Sequence, residues 1–359
     1  MEVDAAPALG AASAGCGRPG PATIDEALDW SASAWRMLAA NSGPYGDLVA
    51  ALKTKLTRGV LLSTEYSGMG GPEEAMRRVV EAGQQEHGLA AGTLASLRAG
   101  DWDPHCRTVL AGHVSNMAAP QCIFGDIMDV DRCSAADQQA LRREGAAAKQ
   151  RLWAAMAVLP PTRRKRKELM CKHGRRFFQR AAGFMLEPGR LQALASGRCH
   201  CYKHDRKCRF VPSKPQEFAG LMGLVAGFNC YDWSVMTSSE LSGWLGRSAH
   251  IYLQFLSEAL ACGDYDFMVL ECTWGFDESI GLAPMEAAGF QVAVLKIAPT
   301  LLGLPVYRER KYMLLTKTSV LQWAPEISAQ GHQESFEHLF RRDVVMRGGD
   351  LARATRQGI

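Results

Sequence analysis

Residues 59–74 constrain the fold more than any other stretch of this 359-residue chain. Gly59-Val60-Leu61-Leu62-Ser63 is an apolar run of strand length, and Tyr66-Ser67-Gly68-Met69-Gly70-Gly71 is a glycine-rich turn. Pro72-Glu73-Glu74 then opens a helix, with proline and acids in the first turn as the helix dipole favours. The same order recurs downstream. Cys122-Ile123-Phe124 runs into Gly125-Asp126-Ile127, and a strand over 221–226 leads to a loop with Gly227, Asn229 and Cys230 before a helix near 248–261. Phe267-Met268-Val269-Leu270 ends in Glu271, a short helix is expected over 283–289, and strands over 291–297 and 311–316. Strands alternating with helices predict an α/β fold with a mainly parallel sheet.

The flanks are helical or irregular. Leu28, Trp35, Leu38, Leu48 and Leu52 give residues 25–57 an apolar helical stripe. Residues 1–22, rich in Ala, Gly and Pro, read as a disordered tail; acidic Glu2 and Asp4 stand where a secretory signal would be basic. No apolar run reaches the roughly 18–20 residues of a membrane span, so no membrane partner is expected. Eleven cysteines, an odd number, without a secretory signal point to a reducing compartment, with thiols free, metal-bound or catalytic. A net charge of +4 permits a nucleic-acid partner without requiring one.

Between the two α/β halves lies a long stretch of different character. An Ala-rich helix is expected over 135–157, then Pro160-Pro161, a basic run from Arg163 to Lys167, and a helix over about 167–184. The run, with Lys172, Arg175, Arg176 and Arg180, reads either as a phosphate-binding surface or as a solvated helix face or nuclear-import signal. A nuclear location is expected on that basis, a cytoplasmic one otherwise. Residues 199–208 are Cys/His-rich, and Cys199, Cys201, His204 and Cys208 are the expected ligands of a structural zinc; free surface thiols are the competing reading.

In an open α/β sheet, ligands bind at the carboxyl ends of the strands, where the unusual residues of this chain fall. The glycine turn suits a nucleotide-like ligand, though a plain tight turn would look the same. Asp101, in Asp101-Trp102-Asp103-Pro104, can hold a ribose diol, and Trp102 can cover an adenine face. Cys230 is either a small core residue or a thiolate nucleophile, which needs a nearby cation or helix N-terminus. Glu271 at a strand end is costly to bury without pairing or proton chemistry, and Arg308 and Arg310 offer cations.

In this order the motifs resemble the cytosine-carbon-5 methyltransferase family. Residues 66–71 resemble its first motif, with Tyr66 for Phe; Asp101-Trp102-Asp103 and Gly125-Asp126-Ile127 resemble its second and third. Ala226-Gly227-Phe228-Asn229-Cys230-Tyr231-Asp232-Trp233-Ser234 resembles its nucleophile loop, with Asn229 for Pro and Tyr231 for Gln. Glu271-Cys272-Thr273 stands for Glu-Asn-Val, and residues 303–310 resemble its Gly-Val-Pro-Gln-x-Arg-x-Arg, with the Gln lost. The stretch over about 131–219 is longer than the family's usual link, and the 42 residues after Lys317 contain neither a target-recognition domain nor a last motif.

The resemblance implies a Rossmann-like S-adenosylmethionine-dependent methyltransferase fold, interrupted by a long helical, Cys/His-containing insertion. Residues 59–130 would form the cofactor-binding half, 131–219 the insertion and 220–317 the catalytic half; 23–58 would be an N-terminal helical segment and 318–359 a C-terminal extension. It implies that Tyr66, Ser67, Gly68, Met69, Gly70, Gly71, Asp101, Trp102, Asp126 and Ile127 hold S-adenosylmethionine. Cys230 would attack carbon 6 of cytosine, Glu271 would bind ring nitrogen 3 and the amino group, and Arg308 and Arg310 would steady the base and thiolate. The substrate implied is DNA, with RNA the alternative. A methyltransferase-like protein that binds without turnover, and a zinc-stabilised nucleic-acid adaptor, are the competing functions.

Overall fold

The computed structural model describes residues 17–90, 94–113, 119–158, 162–228, 231–233 and 243–346. The described strands are β1 (Val60–Glu65), β2 (Leu94–Gly100), β3 (Cys122–Phe124), β4 (Arg198–Cys201), β5 (Arg206–Arg209), β6 (Leu221–Gly227), β7 (Phe267–Thr273), β8 (Phe290–Ile297) and β9 (Arg310–Lys317). They form one sheet in the order β5-β4-β3-β2-β1-β6-β7-β9-β8. From β3 to β7 neighbours are parallel; β9 runs antiparallel to both β7 and β8. With the β4–β5 hairpin and the antiparallel β8–β9 edge set aside, this is the parallel α/β sheet expected from the alternation of strands and helices. The order reverses between β1 and β6, which opens a crevice at the carboxyl ends of the central strands.

β1 is buried along its whole length because helices cover both faces of the sheet. On one face, helices Trp30–Asn41 and Gly71–His87 bury Trp35, Val80 and Leu89 against Val60 and Leu94. A Cβ at Gly83 would stand 2.7 Å from the Trp35 ring, whose Nε1 donates to Val79 O at 2.8 Å, so this helix pair needs a glycine there. On the other face, helix Arg247–Cys262 packs on Met222, Leu224 and Met268. The insertion helices Ala135–Val158 and Arg163–Met185 add Leu141, Leu152, Phe177 and Phe178 to that same core.

The structure differs from the sequence reading at four places. The stripe over 25–57 is broken into helices Ile24–Leu28, Trp30–Asn41 and Leu48–Thr57; the second break falls at the Gly43-Pro44 step, which cannot continue a helix. Residues 17–22, the end of the expected tail, dock on the C-terminal segment: Gly20 N donates to Asp343 O at 2.7 Å and Arg18 Nη2 to His338 O at 2.6 Å. The helix expected from 167 starts at Arg163, capped by the Thr162 side chain, so the basic run is its first turn. The Cys/His stretch is a hairpin, with Asp205 in the left-handed conformation (φ 49°) at its turn. No described helix is long and apolar enough to cross a membrane.

His250 lies where helix Arg247–Cys262 meets the insertion, its ring 5.4 Å from that of Phe177. Burial, aided by Lys149 and Arg142, lowers its pKa from 6.5 to about 4. The folded chain therefore holds that proton less readily than the unfolded chain, and stability present above pH 6.5 drains away as the pH falls toward 4. Between pH 7.5 and 4.5, His250→Phe is expected to lose about 2–3 kcal/mol less than the parent in urea denaturation. Equal losses in the two proteins would remove His250 from the acid limb.

Candidate functional site

Strand register gathers the expected site residues. Glu65 at the end of β1 is level with Gly100 of β2 on one side and Ala226 of β6 on the other; Gly100 is level with Phe124 of β3, and Gly227 with Glu271 of β7. A cleft of about 590 Å³ opens above these ends. Tyr66, Asp101, Trp102, Asp126, Ile127, Glu271, Arg308 and Arg310 all line it. From β3 to β7 is four strand spacings, roughly 19 Å at about 4.8 Å each, which accommodates two ligands side by side.

The β1–helix turn forms one end. Tyr66 adopts a left-handed backbone (φ 57°), a strain of about 1–3 kcal/mol that side chains other than glycine tolerate mainly at functional turns. Its phenol is kept neutral by burial, and its hydroxyl has no partner among the described residues. Ser67 N donates to Gly100 O at 3.0 Å and its Oγ lies 2.6 Å from Thr64 Oγ1, so Ser67 ties the turn down rather than lining the cleft. Gly68 (φ 55°) has nothing within 4 Å of where a Cβ would be. Its N–H donates to Asp101 Oδ2 at 2.8 Å, and Asp103 N donates to Asp101 Oδ1 at 2.9 Å. Asp101 is thus locked against the glycine turn, one lone pair of each oxygen already used. Met69 is exposed, Gly70 (φ 92°) caps helix Gly71–His87, and its carbonyl accepts Glu74 N at 3.0 Å. Trp102 is 69% exposed, a flat ring at the rim. Asp126 Oδ1 accepts Met128 N at 2.9 Å.

The other end gathers a carboxylate and three cations. Arg310 Nε lies 2.6 Å from Glu271 Oε1, and a Cβ at Gly227 would be 3.3 Å from Glu271 Oε2. Burial raises the Glu271 carboxyl above its ordinary value, against the pull of Arg310 and Arg308. Burial thus favours the protonated form of this carboxyl more than water would. Arg308 is exposed, and Arg247 adds a cation from a helix N-terminus that sequence reading had not singled out. Cys230 and Asn229 lie outside the described residues. Their neighbours are firmly held. Phe228 packs on Tyr252 and Phe276 at centroid distances of 5.0 Å, and Asp232 Oδ2 accepts Ser248 N at 2.6 Å, capping helix Arg247–Cys262.

Beneath the cleft is a feature the motifs did not signal. Glu65, Arg98, Arg132 and Glu258 are each at most 3% exposed and form a closed ionic quartet. Arg132 Nη2 is 2.6 Å from both Glu65 Oε1 and Glu258 Oε2; Arg98 Nη2 is 2.9 Å from Glu65 Oε1. Arg132 Nη1 also donates to Gly125 O at 3.2 Å. Burial would raise the Glu258 carboxyl, but Arg132 and Arg98 together bring it below its ordinary value. Gly100 is dictated by this packing, since a Cβ there would stand 2.2 Å from Glu65 Oε2. The available signal was charge inside otherwise apolar strands, Arg98 and Glu65 above all.

Of the four expected metal ligands, Cys201, His204 and Cys208 come together, but Cys199 does not join them; Cys122 from β3 takes its place. Cys199 is 3% exposed and packs with Phe124, Leu194 and Phe210. Two residues apart along a strand is about 6.6 Å, too far for Cys199 and Cys201 both to reach one ion without bending β4.

No family model matches the chain, and no curated protein matches it. Among solved structures it is similar to the Dnmt2 methyltransferase of S. pombe, with TM-score 0.33 and 11% identity over 75% of this chain and 53% of that one. It is also similar to the Entamoeba histolytica methyltransferase EhMeth, with TM-score 0.30 and 10% identity over 72% and 53%. A third is a putative DNA modification methyltransferase encoded within an E. coli prophage, with TM-score 0.29 and 14% identity over 73% and 47%. The chain spans about half the length of each of these structures.

Proposed function

We propose that this chain is an S-adenosylmethionine-dependent methyltransferase acting on carbon 5 of cytosine in DNA. The observation that carries the reading is the shared cleft: the Glu271–Arg310 pair lines one end, and Tyr66, Asp101 and Asp126 line the other. The residues present fit the cofactor. An unpartnered buried Tyr66 hydroxyl, open space over Gly68, two carboxylates and an exposed indole suit a nucleoside with a diol and an amino-bearing ring. Bound there, S-adenosylmethionine supplies an electrophilic methyl group.

The chain's own residues supply the rest. The Cys230 thiolate adds to carbon 6 of the base, and Glu271 gives a proton to ring nitrogen 3 while accepting a hydrogen bond from the amino group. Carbon 5 of the resulting enamine is the nucleophile to which the cofactor would give its methyl group, leaving S-adenosylhomocysteine. A base then takes the carbon-5 proton as the thiolate leaves carbon 6, and ring nitrogen 3 returns its proton to Glu271, which restores the ring. Arg310 orients Glu271, and Arg308 and Arg247 add positive charge at the base end. The chemistry requires the base outside its stack. Helix Arg163–Met185 exposes Arg164, Lys165, Arg166, Lys167, Lys172, Arg175, Arg176 and Arg180, a surface suited to phosphate contacts, while His173, Phe177 and Phe178 face the core.

Oligonucleotides carrying 5-fluorocytosine test the reading, because fluorine cannot leave as the carbon-5 proton does. With S-adenosylmethionine, the parent protein is expected to form a denaturant-resistant adduct on DNA, and Cys230→Ala none. An adduct on RNA alone would reassign the substrate. Folded protein that binds the cofactor yet forms no adduct on either nucleic acid would instead make this a binding protein.

A further inference from the structure

We infer that Cys122, Cys201, His204 and Cys208 form a structural zinc site that staples the β4–β5 hairpin to the cofactor side of the sheet. One ligand atom from each lies within 4.8 Å of the others. The three sulfurs of Cys122, Cys201 and Cys208 stand 3.7, 3.4 and 3.4 Å from the same nitrogen, His204 Nδ1. A ring nitrogen can make one hydrogen bond, so three thiols around it are not explained by hydrogen bonding. They are explained by an ion. Tetrahedral zinc, with Zn–S of about 2.3 Å and Zn–N of about 2.0–2.1 Å, places each sulfur roughly 3.6 Å from the nitrogen. Three thiolates and an imidazole select zinc over hard cations, and four protein ligands leave no open position, which makes the site structural rather than catalytic.

The hairpin needs such a staple. Each of its strands has four residues, and β4 pairs with β3 only at Phe124 and Cys201. A two-stranded hairpin is marginal on its own. The ligands span the gap: Cys122 begins β3, Cys201 ends β4, His204 is in the turn and Cys208 is in β5. The anchored hairpin in turn backs cleft-lining residues from behind. Tyr202, next to Cys201, donates its N–H to Ile123 O at 2.8 Å, and its ring stands 3.0 Å from where a Cβ at Gly125 would be. Arg107 lies over that ring at 4.1 Å and donates to the carbonyls of Asp101 at 2.9 Å and Trp102 at 2.6 Å. The metal thereby fixes the strand ends that present Asp101, Trp102 and Asp126.

Elemental analysis of the full chain, purified in thiol reductant without chelator, tests the site. One zinc per chain is expected. Cys122→Ser and His204→Ala should lose it, His204→Cys should keep it, and Cys199→Ala should keep it. Replacement by cobalt should give the intense visible bands of a tetrahedral thiolate site. Hydrogen exchange after chelation provides a reading on the unaltered chain: amides of β3, β4 and β5 should exchange at least tenfold faster, and those of β7–β9 should not change. Reduced parent protein that holds less than about a fifth of an equivalent of zinc and takes up no cobalt would overturn the site, as would Cys199→Ala losing metal as fully as Cys122→Ser.

Discussion

Glu271→Gln is expected to slow methyl transfer by about 10²–10⁴-fold, the usual contribution of a positioned proton donor. Cofactor affinity is expected to change by less than about threefold, since the amide acts on the base and not on the cofactor end of the cleft. The substitution preserves shape and leaves an oxygen to accept from Arg310, which now holds Glu271 at 2.6 Å. What it removes is a carboxyl whose pKa burial has raised, the group that the proposed mechanism uses to donate to ring nitrogen 3. Single-turnover transfer to cytosine oligonucleotides, beside calorimetric titration with S-adenosylmethionine, separates the two quantities. A variant that kept more than about a tenth of the parent rate would take proton transfer away from Glu271.

The largest stability effect is expected at Arg132. Arg132→Met leaves Glu65 and Glu258 buried with Arg98 as their only remaining cation in the quartet. Removing one partner of a buried ionic group costs about 3–5 kcal/mol, a large share of the roughly 5–15 kcal/mol that holds a typical protein folded. The damage should also reach the cleft, because Glu65 lines it and Arg132 holds the Gly125 carbonyl. Combining Arg132→Met with Glu258→Gln leaves the neutral Glu65–Arg98 pair, so the double variant should be more stable than the sum of the single effects. Urea denaturation of the two single variants and the double variant measures this coupling. A single-variant cost below about 1 kcal/mol would mean that water reaches the quartet and screens it.

Much of the cleft was legible because its residues stand at strand ends. Each apolar run predicts a strand, and the polar residue that follows it must then face the crevice; Asp101, Asp126 and Glu271 all do. Ser67 was legible as part of the turn, but its role in tying the turn to Gly100 was not. The break in the N-terminal stripe at Gly43-Pro44 could have been read from the glycine and proline themselves. Nothing local showed that Gly20 would lie against Asp343, since that contact joins residues more than three hundred positions apart.

The alternation of apolar runs with helical stretches determined by itself that this chain would build an α/β sheet with a parallel centre, because periodicity and turn chemistry are properties of neighbouring residues. Three things depended on the tertiary structure. Cys122, and not Cys199, joins the Cys/His cluster, since strand spacing decides which thiols converge. Arg98 and Arg132 enter the core, since only folding brings Glu65 and Glu258 within reach of them. The insertion shares the main core instead of forming its own, because Phe177 and Phe178 find their partners on helix Arg247–Cys262 and the segment just before it. In each case the deciding contact joins residues distant in the chain, and local pattern carries no record of it.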